Sequence, residues 1–192
     1  MRINKKSIIF FLLLAGFFIC FSSCASTAGA GKNQQLYVWL TNNAKFTLLS
    51  PKSIEAPMDN HQLVSASYGS RNFQAVAWVK ADETGMDMTL VNEIGASMGE
   101  LSYREGAVSF SSPVFPGSVM GEYIIADFQL CFYNPVALRE ALEAAGLSMT
   151  ETETGRRVLQ GQTLIAEIEK GRSSVRFINH LRGYSYTLEG DF

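Results

Sequence analysis

Apolar and polar positions change rhythm several times along the chain. Ile8 to Phe21 is an almost unbroken apolar run. Leu36 to Leu49 mixes Tyr37, Val38, Trp39 and Leu40 with Phe46, Leu48 and Leu49 across Asn42-Asn43, which predicts a short helix or strand leading into a first strand. Two prolines make 51–60 a loop. From Gln62 the spacing turns to period two, the mark of half-buried antiparallel strands. Leu63–Tyr68 and Phe73–Lys80 alternate, and Asp82-Glu83-Thr84-Gly85 turns the chain. Met86, Met88 and Leu90 then oppose Asp87, Thr89 and Glu93. After a break at Gly95, Met98–Tyr103 and a strand through Val108 and Phe110 extend the meander.

Pro113, Pro116 and Gly117 stop this pattern, and Glu122–Phe132 places Ile124, Ile125, Phe128, Cys131 and Phe132 at helical spacing. Asn134-Pro135 supplies a cap and a first-turn proline for a second helix. Leu138, Leu142 and Ala145 share one face of it, and Gly146 ends it. Alternation returns over 147–150, 156–159, 164–169, 175–178 and 184–188, with Gly-containing turns between. Strands, two helices, then strands predict a mainly β, α+β fold: one curled antiparallel sheet, an unclosed β-barrel, with a two-helix lid inserted between two strand groups. A curled sheet under a lid encloses an apolar cavity or a thick core, and alternation serves either.

The first apolar run has a different meaning. Arg2, Lys5 and Lys6 precede it and Ser22-Ser23-Cys24 follows it, the layout of a cleavable export signal. A cysteine directly after two small residues further predicts a bacterial lipoprotein, with Cys24 acylated by diacylglycerol and palmitate. The alternatives are an ordinary signal or a retained helix, against which the run is shorter than the ~20 residues a span needs. The expected organisation is a signal over 1–23, a small, Gly-rich flexible tether over 24–35 and a single domain over 36–192. Of the 16 basic residues 3 leave with the signal and none of the 18 acidic ones does, taking the net charge from −2 to −5. Such a chain is poorly suited to nucleic acid, where binding rests on phosphate neutralisation. Cys131 is the one thiol left after acylation of Cys24, so no disulfide framework is expected within the mature chain.

The strand pair over 72–90, its continuation from Glu93 to Tyr103 with Gly95, the segment Ile125-Ala126-Asp127-Phe128-Gln129-Leu130, the helix from Pro135 to Leu142 and the terminal strand from Gly183 to Leu188 together carry a resemblance. The layout resembles the LolA/LolB-like lipoprotein carriers, an unclosed antiparallel β-barrel capped by helices. More specifically, it is similar to a small lipoprotein family of Gram-negative aryl-polyene and related lipid gene clusters. The chain departs from the aromatic run usual there, with Cys131-Phe132-Tyr133 before Asn134-Pro135. The resemblance implies handling of acyl chains and carries no catalytic residue across.

Other chemistry is sparse. His61 and His180 are the only histidines and have no cysteine at ligand spacing, so no metal or other cofactor is expected. Ser118 follows Gly117 directly, which is not the Gly-x-Ser-x-Gly order of a nucleophile elbow. Glu151 with Glu153, and Asp82 with Glu83, fall in turns where solvated charge is normal. Arg172, Arg176, His180 and Arg182 read as an exposed strand face, or as a weak site for anionic head groups. Trp78, Met86, Met88, Leu90, Ile124, Ile125 and Phe128 are the candidates to line a ligand pocket, methionine being suited to adaptable apolar surfaces; plain core packing is the competing role for each. The expected function is a monomeric, non-catalytic envelope lipoprotein that binds or transfers an apolar or acylated ligand. The expected place is the outer membrane, held by the acyl chains and facing the periplasm, because Ala25 and Ser26 lack an inner-membrane retention aspartate, with the inner membrane and the cell surface as alternatives. The alternative is an assembly lipoprotein that works through protein contacts and has no cavity.

Overall fold

Ten of the alternating segments join edge to edge in one antiparallel sheet. The computed structural model describes residues 35–104, 106–115 and 119–191. The expected signal, Cys24, most of the tether and Ser118 therefore lie outside the described residues. A hairpin comes first, β1 (Tyr37–Trp39) and β2 (Lys45–Thr47), where a helix or strand was an open choice. The loop expected over 51–60 is shorter than the prolines suggest. After a 3-10 turn at Pro51–Ser53, β3 begins at Met58, because Met58 and Asn60 continue the inner-face parity of Gln62 against β4.

The sheet then runs through β3 (Met58–Tyr68), β4 (Arg71–Asp82), β5 (Gly85–Val91), β6 (Ser97–Arg104) and β7 (Ala107–Ser111). After the helices come β8 (Ser148–Thr152), β9 (Gly155–Gln160), β10 (Thr163–Lys170), β11 (Ser174–Asn179) and β12 (Tyr184–Gly190). Spatial order is β7-β6-β5-β4-β3-β12-β11-β10-β9-β8, so the two strand groups meet where the first long strand pairs with the last, Tyr68 opposite Tyr184 and Gln62 opposite Gly190. The edges β7 and β8 do not pair, and the barrel stays unclosed. Gly155 is fixed by close approach: a Cβ there would lie 1.8 Å from the Ile168 carbonyl oxygen.

The two helices, α1 (Gly121–Phe132) and α2 (Pro135–Ala144), carry the chain from one edge to the other. The Asn134 side chain accepts from the backbone N–H groups of Val136 (2.9 Å) and Ala137 (3.4 Å), and Gly146 at φ +77° closes α2. Both signals act as the sequence implies. Helix α1 touches β7 and also β11, six strand spacings away in the sheet. Strands lie about 4.8 Å apart and a helix is only about 10 Å across, so the sheet must curl around α1 for both contacts to exist. Eight consecutive residues, Ile125 to Phe132, are buried, leaving this stretch of α1 no solvent face. The lid is thus unequal: α1 is sunk into the curl, while α2 covers its flank near β8 and β2 through Leu138 and Leu142.

Strand register also sorts the turns. Those at 69–70, 92–96, 161–162 and 180–183, with the start of α1, fall at one end of the sheet; those at 83–84, 153–154 and 171–173 fall at the other. Tyr68, Ile94, Val114, Met120 and Leu181 all sit at the first end, and Ile94 is 89% exposed.

Candidate interior site

The interior site is built between one stripe of α1 and the middle of the sheet. Ile124, Asp127 and Cys131, at i, i+3 and i+7, share one helix face. Opposite them, Tyr184 and Tyr186 point inward from β12. The Tyr184 hydroxyl donates to Asp127 Oδ2 at 2.7 Å and accepts from the Asn179 amide at 3.3 Å. The Tyr186 hydroxyl lies 3.8 Å from Cys131 Sγ. Both tyrosine rings stack on Phe177, at 6.0 and 5.1 Å between centroids. Register continues this floor across Ala66 to Phe73, which packs on Phe115 at 5.2 Å.

Several of these inner-face residues are only half-buried: Val64, Ala66, Phe73, Phe115, Ile124, Tyr184 and Tyr186. Yet burial pushes the Tyr184 and Tyr186 phenols well above their ordinary value. Between Phe73 and Tyr186 the register places only the small Ala66. Burial likewise pushes the Asp127 carboxyl up to about 7, against the Tyr184 hydrogen bond and the positive charge of Arg182, which hold it down. Cys131 is pushed up to about 12 by burial and by Asp127, so its thiol stays protonated.

The opposite side of α1 is saturated. The Gln129 amide accepts from Leu49 N–H and donates to Leu49 C=O, both at 2.9 Å, and the Tyr103 hydroxyl donates to the same carbonyl at 2.8 Å. Arg156 is 4% exposed and donates to the carbonyls of Leu130 (3.2 Å) and Tyr133 (2.8 Å), at the helix end where a cation is favoured. Its other arm meets Glu55 at 3.0 Å.

The seven pocket candidates divide. Met86, Leu90, Ile125 and Phe128 face inward and are buried in the core; Met88 and Ile124 face inward and are half-buried. Trp78 is a correction. It stands on the outer face, 47% exposed, because period two that turns Ala77 and Val79 inward turns residue 78 outward. There its indole donates to Asp59 at 2.9 Å and stacks on His61 at 6.3 Å. The basic residues near the C-terminus are not gathered around one anion site: Arg176 is 3.5 Å from Glu169, His180 is 3.6 Å from Glu167, and Arg182 lies over the Tyr123 ring at 4.3 Å. Glu151 pairs with Arg139, and Asp82 caps Thr84.

The polar floor was missed by sequence reasoning. Asp127 inside an apolar helical stripe was a readable signal; its partner Tyr184, 57 residues later, was not.

A family model matches residues 59–190, from the second residue of β3 to the last of β12, and so covers the ten-stranded sheet and both helices. The chain belongs to the DUF3261 family. That family is described as proteins of unknown function, and its model leaves out the β1–β2 hairpin and everything before Asp59. No curated protein matches the chain.

Proposed function

We propose that this protein is an envelope lipoprotein, anchored through Cys24 at the outer membrane, that binds or passes on an acyl-chain ligand inside its curled sheet without catalysis. The observation that carries this reading is the half-buried aromatic and apolar lining between α1 and strands β12, β3 and β4. It lies in line with an end of the sheet that exposes Tyr68, Ile94, Val114, Met120 and Leu181. An interior apolar surface suits a chain, and exposed apolar tips suit the lipid phase the chain comes from. The resemblance to LolA/LolB-like carriers adds the same expectation.

Native mass spectrometry on the chain from Ala25 onward, made in the periplasm, tests it. A reproducible adduct of lipid mass, lost in Ala66→Trp, is the expected result. A bare polypeptide mass that takes up no added fatty acid or lysolipid would move the protein to the second reading, an assembly lipoprotein. One observation favours that second reading: Trp78, His61 and exposed Leu63 form an aromatic–apolar patch on the outer face of β3 and β4. Palmitate labelling that persists in Cys24→Ala would remove the anchor from either reading.

A further inference from the structure

Asp127 is the odd group in this apolar surround. Its Oδ2 accepts from Tyr184, while Oδ1 has no hydrogen-bond partner among the described residues. No sealed side-chain nitrogen or oxygen there lacks a partner, so Oδ1 retains accessible surface. A ligand lying against this face of α1 would meet it. The charged and titratable groups around Asp127 are few. From β12 come the phenols of Tyr184 and Tyr186, and on its own helix the Cys131 thiol, all held protonated by burial. From the β11–β12 turn comes Arg182, which forms no ion pair with Asp127; its guanidinium donates to the Trp39 carbonyl and covers Tyr123. Lys170 and Arg156 act on the cluster only at longer range, through Cys131, and both engage Glu55.

Resting on the acyl-ligand reading, we propose that the ligand lies with its head beside Asp127 and Tyr184, and that this pair selects chains with uncharged, hydrogen-bonding heads, such as hydroxyl-bearing acyl esters, over chains with anionic heads. A methyl terminus against Asp127 would leave the carboxyl without compensation for lost water. A hydroxyl donates to the ionised carboxylate, and an ester carbonyl accepts from the protonated acid, so one glycerol ester satisfies both states. An anionic head meets like charge in a low-dielectric site, which costs several-fold to many-fold in affinity.

The full-length acylated chain in nanodiscs can be exposed to two photoactivatable sixteen-carbon probes, a monoacylglycerol and an alkyl sulfate that stays anionic at every pH used. Labelling of peptides around Ile124 and Tyr186 should favour the neutral probe by about tenfold at pH 8. The preference should shrink toward pH 5.5 as Asp127 takes a proton, and in Asp127→Asn it should be small and independent of pH. Equal labelling by the two probes, or preference for the sulfate at pH 8, would overturn the selectivity and leave the acyl-ligand reading standing. No interior labelling by either probe would overturn that reading, and this inference with it. Should Asp127→Asn fail to fold, the pH profile of the unaltered protein decides: a flat profile overturns the proposal.

Discussion

The two polar faces of α1 differ in how completely they are used. Against one, Gln129 and the β9 residue Arg156 bond the backbone of Leu49, Leu130 and Tyr133, and Arg156 also meets Glu55. On the other, Asp127 has a single side-chain hydrogen bond among the described residues, in half-buried surroundings. A saturated buried group fixes how elements sit, because breaking it strands its partners. A buried group that is not saturated costs stability and is retained where something else can meet it. The first face reads as architecture, the second as a site.

The sharpest way to break this comparison is Arg156→Ala. It strands the Leu130 and Tyr133 carbonyls at the end of α1, at roughly 1–3 kcal/mol each, so a loss of roughly 3–5 kcal/mol is expected, read as a lower urea midpoint. A loss below about 1 kcal/mol would mean that the helix end is held by something else.

Asp127 gives the next effect, with the opposite sign. Its folded value is raised from 3.8 to about 7, so the folded state favours the neutral acid. The folded protein then binds more protons than the unfolded chain between those values. The stabilisation is complete below about pH 4 and is lost as pH rises through about 7. At about 1.4 kcal/mol per unit, the loss is on the order of 4 kcal/mol. Asp127→Asn should flatten that stretch of the stability–pH curve and be the more stable protein at pH 8. A curve that keeps its slope in the variant assigns the titration to another group.

Gln129→Leu should cost about 2 kcal/mol by leaving the Leu49 N–H unpaired and Tyr103 with one fewer neighbour; Gln129→Glu separates hydrogen bonding from size. The smallest effect is expected at the loop end. Ile94→Ser with Leu181→Ser should change stability by no more than about 0.5 kcal/mol while reducing lipid uptake from vesicles. Unchanged uptake would separate the exposed tips from the interior site.

Most of the sheet was legible because period two and period 3.6 are set by which faces meet the core, and both are written locally. The strands from 62 to 110 and from 147 to 188, the Asn134-Pro135 start and the Gly146 stop of α2 all followed from neighbours within a few residues. Trp78 shows how the site escaped the same reasoning. It is among the pocket candidates, yet parity counted from Ala77 and Val79 places it outside. Met86 and Leu90 had the right face, but facing inward does not distinguish packed wall from open lining.

By itself, then, the sequence determined the alternation, the two helices and the caps of α2, and the candidate export signal. Each depends on side chains close along the chain, where hydrophobic period and turn chemistry act. The tertiary structure decided the rest. It brought β12 beside β3, sank α1 into the curl, set Asp127 against Tyr184 and set Tyr186 beside Ala66. In those pairings Asp127 and Tyr184 are 57 positions apart and Ala66 and Tyr186 are 120 apart. They arise from closing a long sheet around a helix, which no local pattern encodes.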